Sequence, residues 1–228
     1  MSLIHVAKDL RNAFGPARDQ GARPTCLAFA ASDAHAALRT GWTPLSCEFA
    51  FFHAQRRAGL SPTGGARLSA MLDALREDGQ PEETGWPYLA SLPAIISTWV
   101  PPGSISQVYG RNGQSETPGL DQIIPWIELD RPVIALTMLS PSFYRPSPDG
   151  VVDPASGELP EPARRHAIIA CGHGTVDGQR ALFVRNSWGS HWGQSGHAWL
   201  TEQFLGPRLY GAAVLLEDVH VSVHSAAA

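Results

Sequence analysis

The spacing of apolar residues changes about halfway along this 228-residue chain, and that change constrains the fold most strongly. In the first half, apolar side chains recur at helical spacing, as in "RLSAMLDALREDG" at residues 67–79, which is typical of an amphipathic helix. The second half holds short runs rich in β-branched and aromatic residues, such as "PVIALTML", which indicate strands. Helices followed by strands predict an α+β fold.

Turn-forming residues bound the predicted elements. Thr25 and Ser46 are expected to cap the first two helices, and Gly59 to end the second. Helices are predicted at residues 26–39, 45–59, 67–79 and 120–129. The strand-like runs are "PVIALTML", "RHAIIACGHG", "ALFVRNSW", "GHAWLT" and "AAVLLEDVHV". A Pro-rich loop over residues 140–165 separates the first two runs, and its length is typical of a functional or mobile segment.

The chain is therefore expected to form two lobes, whose junction is a natural cleft for a binding site. Residues 1–18 are predicted as an N-terminal segment, residues 19–115 as the helical lobe and residues 116–228 as the β-rich lobe. A chain of this length buries about 70% of its unfolded surface, so it needs no disulfide or metal to support a core.

The charge and hydropathy patterns argue against two classes of partner. The formal net charge is −4 and the arginines are scattered rather than gathered into a stripe, so no nucleic acid is expected to bind. No apolar run approaches the roughly 18 residues that span a bilayer, so no membrane partner is expected. "MSLIHVAKDLRNAFG" lacks the apolar core of a signal peptide, so the expected location is cytoplasmic, or one reached without a signal peptide.

The chain contains three cysteines, Cys26, Cys47 and Cys171, which cannot all pair within one chain. This count favours a reducing compartment or a working thiol. Zinc binding is the competing use, and "CGHG" places Cys171 close to His173. The C-x-x-C or H-E-x-x-H spacing of zinc sites is missing, so neither a metal nor another cofactor is expected.

Cys26 has the surroundings of a nucleophile. In the first turn of a helix, backbone N–H groups and the helix dipole favour a thiolate, although an inert buried cysteine is the alternative. A catalytic thiol needs a base and a group that orients the base. His166 and Asn186, at the ends of two strand-like runs, are the candidates. The amide of Gln20, six residues before Cys26, is a candidate oxyanion donor beside the backbone N–H of Cys26.

Three blocks of the sequence resemble the signature blocks of papain-like (cathepsin-type) cysteine peptidases, in the same order. They are "DQGARPTCLAFA", "HAIIACGHG" and "RNSWGSHWGQSGHAWL". The resemblance implies a two-lobe α+β fold with a helical N-terminal lobe, an antiparallel β-barrel-like C-terminal lobe and the active site in the cleft. It also implies a catalytic triad of Cys26, His166 and Asn186, an oxyanion hole that includes Gln20, and a covering role for Trp188 over the Asn/His contact.

Weaker matches lie between these blocks. "PTGGARLSAMLDAL" resembles the Gly-Gly stretch whose backbone pairs with an extended substrate, which implies a binding role for Gly65. The same resemblance places Leu136 and Ala167 in the wall of the second substrate subsite. Arg67 and Arg164 fall near that wall, so a preference for an acidic or polar residue there is one hypothesis. The alternative is that both arginines are solvated or pair with neighbours such as Glu158 and Glu161.

The chain also departs from the secreted members of the family. Those proteins carry a cysteine three residues before the nucleophile and an aromatic residue after it, where this chain has Arg23 and Leu27. Their disulfide framework is largely absent, which fits a bacterial or cytosolic member better than a lysosomal one. Only nineteen residues precede Gln20, so we expect either a propeptide that has been removed or restraint by a separate inhibitor or regulatory domain.

The predicted activity is that of a cysteine endopeptidase, a hydrolase that cleaves an extended polypeptide through a thioester acyl-enzyme. A papain-fold acyltransferase, deamidase or peptide-maturation enzyme with the same Cys/His/Asn set is the alternative. A catalytically inactive binding module is disfavoured because Cys26, His166, Asn186 and Gln20 are all present.

Overall fold

The computed structural model describes residues 1–222, which divide into two compact units. The β-rich unit consists of Met1–Asp19 and Ser115–Val214, and the helical unit consists of Gln20–Gln114 and residues 215–222. Both units are therefore discontinuous in sequence. Residues 1–18, predicted as a separate segment, lie in the β-rich unit, because strand β1 (Ile4–Asp9) pairs with strand β5 (Glu161–Val176).

The helical unit is built on three helices, α1 (Cys26–Ala37), α2 (Cys47–Ala58) and α3 (Leu68–Glu77). The predicted caps of α2 are confirmed: the Ser46 side chain accepts a hydrogen bond from the Phe49 N–H, and Gly59 ends the helix with φ of 61°. The prediction for Thr25 is wrong in one respect. Thr25 stands at the N-cap of α1, but its hydroxyl makes no cap hydrogen bond and lies 2.9 Å from the Tyr88 hydroxyl instead.

Helix α1 is buried along almost its whole length, since all of its residues from Leu27 to Ala36 are buried. Its many alanines let α2 and α3 pack closely against it. An aromatic cluster joins α2 to the segment after α3: the Phe52 ring lies 5.6 Å from Trp86 and 5.0 Å from Trp99, measured between centroids. Edge-to-face aromatic pairs of this kind stabilise the fold beyond the contribution of the apolar area that they bury.

The remaining elements follow in chain order. They are β2 (Gly110–Glu116), α4 (Leu120–Glu128), β3 (Val133–Leu139), α5 (Pro141–Tyr144), β4 (Val151–Val152), β5, β6 (Gln179–Arg185), β7 (His197–Thr201), α6 (Glu202–Leu205) and β8 (Leu209–Val219). In the β-rich unit the strand order is β8–β3–β5–β6–β7–β4, with β1 on the far end of β5. The second part of β8 belongs to the helical unit, where β2 is its neighbour.

The sheet of the β-rich unit is antiparallel, as predicted, apart from the short parallel pair of β4 with β7. The described strands do not close into a barrel, since β4 forms one edge of the sheet. The long loop predicted over residues 140–165 contains α5, β4 and the exposed start of β5. No helix among residues 1–222 is both long and apolar enough to span a bilayer.

Candidate active site

His166 is the first buried residue of β5, after an exposed stretch at the start of the strand. It stands opposite Thr137 of β3 in the antiparallel register, and the residue is only 5% exposed. The centroid of its ring lies 4.8 Å from Trp188 and 5.7 Å from Phe143. The imidazole is therefore held in an aromatic pocket on a rigid strand.

Asn186 follows the last residue of β6, and its side chain meets His166. The distance from His166 Nε2 to Asn186 Oδ1 is 2.7 Å, and the Ser187 backbone N–H donates to the same oxygen at 2.8 Å. Because a backbone N–H can only donate, the atom it meets must be the carbonyl oxygen of the amide. His166 Nε2 must then carry the proton that is donated to Asn186, which leaves Nδ1 as the proton acceptor of the neutral ring.

Burial lowers the pKa of His166 to about 4, although the hydrogen bond with Asn186 acts in the opposite direction. The ring is therefore neutral near pH 7 in the absence of an anionic partner. A neutral imidazole with an unprotonated Nδ1 has the state that a general base requires.

Helix α5 supplies part of this pocket, a contribution that was not predicted from the sequence. Phe143 is fully buried and lies 5.3 Å from Trp188, while Tyr144 stacks on Trp188 at 5.5 Å with an interplanar angle of 17°. Trp192 Nε1 donates to the Phe143 carbonyl at 2.8 Å, so the "SHW" segment holds α5 in place. The aromatic pair in "PSFYRP" was the available signal.

A largely buried carboxylate anchors the same short helix. Glu158 accepts hydrogen bonds from the Ser142 N–H at 3.1 Å and the Ser142 hydroxyl at 2.5 Å. Although burial raises the pKa of Glu158, hydrogen bonds from Ser140, Ser142 and Ala155 dominate and lower it to about 2. The charged form therefore persists at neutral pH and fixes the position of α5.

The other two predicted catalytic residues lie in the helical unit. Cys26 is the first residue of α1 and is partly exposed, whereas Cys47 and Cys171 are fully buried. Burial raises the pKa of Cys171 to about 12. Gln20 is 7% exposed, and its Nε2 donates to the Arg23 carbonyl at 2.8 Å.

The predicted substrate-binding residues are placed as follows. Gly65 is exposed, and a Cβ atom added there would lie 4.0 Å from its nearest neighbour, the Pro24 carbonyl oxygen. Leu136 and Ala167 stand opposite each other on β3 and β5; Leu136 is half-buried and Ala167 is 2% exposed. Trp188, half-buried, covers the His166 ring.

Arg164, one of the two arginines behind the hypothesis of an acidic preference, already has a carboxylate partner. Arg164 forms an ion pair with Glu161 at 2.5 Å and donates to the Tyr144 hydroxyl at 3.2 Å, so its charge is already matched. This is the alternative stated above for Arg164. Arg67 is exposed at the N-cap position of α3.

Cys171 and His173, the candidate zinc ligands, have other partners. His173 Nε2 lies 2.5 Å from Glu128 Oε1, and the Cys171 thiol points to the Phe183 carbonyl at 3.5 Å. Within the described part of the chain, residues 1–222, no three His, Cys, Asp or Glu side chains come together as a metal site.

A family model described as papain family cysteine protease matches residues 6–204. Cysteine proteinase 1 of Entamoeba histolytica is 23% identical over 191 residues, which cover 80% of this chain and 58% of that protein. Chymopapain of Carica papaya is 45% identical over 38 residues, 17% of this chain and 11% of that protein. The chain thus matches less than two thirds of the length of either relative.

Solved structures show a similar fold. Xylellain, a cysteine protease from Xylella fastidiosa, superposes with a TM-score of 0.74 at 19% identity, covering 93% of this chain and 86% of that one. The proform of the ragweed pollen cysteine protease Amb a 11 superposes with a TM-score of 0.73 at 22% identity, covering 94% of this chain and 66% of that one.

Proposed function

Because the chain belongs to the papain family of cysteine proteases, we propose that it is an endopeptidase that uses Cys26 as nucleophile. The observation that carries this proposal is the hydrogen bond of 2.7 Å between His166 Nε2 and Asn186 Oδ1. It leaves Nδ1 of a neutral imidazole as the base, beneath the Trp188 ring. A second supporting observation is the partly exposed position of Cys26 at the start of α1, where a thiolate is favoured.

In the acylation half of the reaction, His166 Nδ1 takes the proton of the Cys26 thiol, and the thiolate attacks the carbonyl carbon of the peptide bond. The carbonyl π electrons move to oxygen, and the resulting oxyanion is stabilised by the Gln20 amide and the Cys26 N–H. The oxyanion then collapses: the C=O bond reforms, the C–N bond breaks and His166 gives its proton to the leaving amine. The product is a thioester on Cys26.

In the deacylation half, water attacks the thioester carbon while His166 Nδ1 takes one proton from that water. The second oxyanion collapses by breaking the C–S bond, and the proton on His166 returns to the Cys26 sulfur. Asn186 keeps the ring in one tautomer and orientation through both halves. Trp188 and Phe143 exclude water from the His/Asn hydrogen bond, which strengthens it.

An extended polypeptide is the proposed substrate. The open space above Gly65 supports this assignment, because the backbone of a substrate strand can approach a residue without a side chain. In this proposal the half-buried Leu136 presents apolar surface for a neighbouring subsite, the buried Ala167 supports it from the adjacent strand, and the half-buried Trp188 contacts the substrate.

Mass analysis of reaction products tests the function directly. An unfolded, reduced and alkylated protein is incubated with the chain, with and without an added amine. We expect internal cleavage into pairs of peptides whose combined mass exceeds the parent by one water, and no cleavage by Cys26→Ala. Products that carry the amine, or intact substrate with Gln converted to Glu, would instead identify the acyltransferase or deamidase alternative.

A further inference from the structure

Arg23, in the loop that leads to Cys26, is a buried arginine with a buried partner. Its Nη1 and Nη2 donate to the two carboxylate oxygens of Glu48 on α2, at 2.6 and 2.9 Å. Arg23 is 7% exposed and Glu48 is 0% exposed. Such a bidentate pair fixes both distance and orientation between the loop and the helix.

The surrounding groups make further hydrogen bonds and ring contacts with this ion pair. Glu48 also accepts from the Trp99 indole at 2.6 Å and from the Leu89 N–H at 3.0 Å. Arg23 Nη1 donates to the Leu89 carbonyl at 2.7 Å. The guanidinium carbon lies over the rings of Tyr88 and Phe51, 5.1 and 5.5 Å from their centroids. The ion pair therefore ties the Arg23 loop to α2 and to the segment around residues 88–99.

The main chain of Arg23 is the part that reaches the proposed oxyanion donor. Its carbonyl accepts from Gln20 Nε2 at 2.8 Å and from the Thr25 N–H at 2.8 Å. Tyr88, which the Arg23 guanidinium faces, donates its hydroxyl to the Gln20 carbonyl at 2.7 Å. The amide and the main chain of Gln20 are thus both held by groups that belong to Arg23 or that contact its guanidinium.

We propose that Arg23 and Glu48 are positioning residues, which set the direction of the Gln20 amide through the main chain of Arg23. The catalytic consequence rests on the proposed function, whereas the orientation of Gln20 does not. Apolar side chains of similar volume often stabilise a core as well as a buried ion pair does. A bidentate pair adds a fixed geometry, and an oxyanion donor requires a fixed geometry, since a displacement of about 1 Å can cost about 10² in rate.

Arg23→Lys is the first test, because it keeps the charge but loses the planar fork. We expect kcat to fall by about 10-fold to 100-fold while KM changes less than about twofold, since the oxyanion forms only after binding. In the Arg23→Lys background, Gln20→Ala should then lower kcat only a few-fold further. Arg57→Lys is the matched control, since Arg57 pairs with Asp78 at 2.5 Å in the same unit and should leave kcat unchanged.

A second measurement does not depend on turnover. The side-chain amide signals of Gln20 are assigned in a nitrogen-15 NMR spectrum by their loss in Gln20→Glu. Arg23→Lys and Glu48→Gln should shift these signals and speed their exchange with water, and Arg57→Lys should leave them unchanged. Glu48→Gln preserves the shape of the site if Arg23→Lys fails to fold.

The outcomes separate the two proposals. The positioning role would be overturned if the Gln20 amide signals were unchanged in both folded variants. It would also be overturned if Gln20→Ala lowered kcat as much in the Arg23→Lys background as in the wild-type chain. Absence of turnover by the wild-type chain would count against the proposed function, while the amide spectra would still decide the positioning role.

Discussion

Cys26→Ala and His166→Ala are each expected to abolish turnover, with a loss of about 10⁴ to 10⁶ in kcat. The first removes the atom that forms the thioester, and the second removes the base and acid that serves both halves of the reaction. Asn186→Ala is expected to retain a measurable rate, lower by about 10². Asn186 only orients the His166 imidazole, through the hydrogen bond of 2.7 Å. Without it, the imidazole still reaches a productive orientation for part of the time.

Initial rates on an unfolded protein substrate measure these losses. Cys47→Ala is the matched control, because Cys47 is a fully buried thiol on α2 and its loss should leave kcat within about twofold. The two effects also should not add: Cys26→Ala combined with His166→Ala should be no slower than Cys26→Ala alone, since the residues act as one unit. Wild-type-like turnover by Cys26→Ala would contradict the assignment of the nucleophile.

Gln20→Ala is expected to lower kcat by about 10² to 10³ with little change in KM. The amide interacts with the oxygen only when that oxygen becomes negative, so its contribution is made in the transition state. Gln20→Glu should be at least as slow, because a carboxylate keeps the shape of the side chain but repels the oxyanion. Steady-state kinetics separate the two constants, and a change confined to KM would show that Gln20 binds substrate instead.

Much of the fold could be predicted from the sequence because local signals specify it. Ser46 and Gly59 bound α2 through their own hydrogen bonding and backbone conformation, and those preferences are visible in the sequence. The papain-like α+β fold, predicted from three blocks, is confirmed by the family match and the similar solved structures. Strand β1 was missed because "IHVAKD" is largely exposed and buries no alternating apolar face.

The parts that could not be predicted depend on contacts between distant residues. Arg23 was visible only as a departure from the secreted family members, since nothing local links it to Glu48, 25 residues later. Helix α5 has four residues inside a Pro-rich loop, too few for any periodic pattern, yet Phe143 and Tyr144 complete the pocket of His166. Thr25 has the right residue type for a cap, but its hydroxyl lies near Tyr88 instead.

Selective alkylation tests the central claim, a reactive thiolate at Cys26, most directly. Iodoacetamide is applied to the folded chain at mildly acidic pH, and peptide mapping gives the rate at each cysteine. We expect Cys26 to react much faster than the buried Cys47 and Cys171, because Cys26 is partly exposed at the N-terminus of α1, where backbone N–H groups favour a thiolate, and because His166 accepts the thiol proton. Cys171, with a pKa raised to about 12, stays protonated there. His166→Ala should slow the reaction of Cys26 at this pH, and one molecule of the epoxide E-64 should block it completely. Equal labelling of all three thiols in the folded protein would contradict the account.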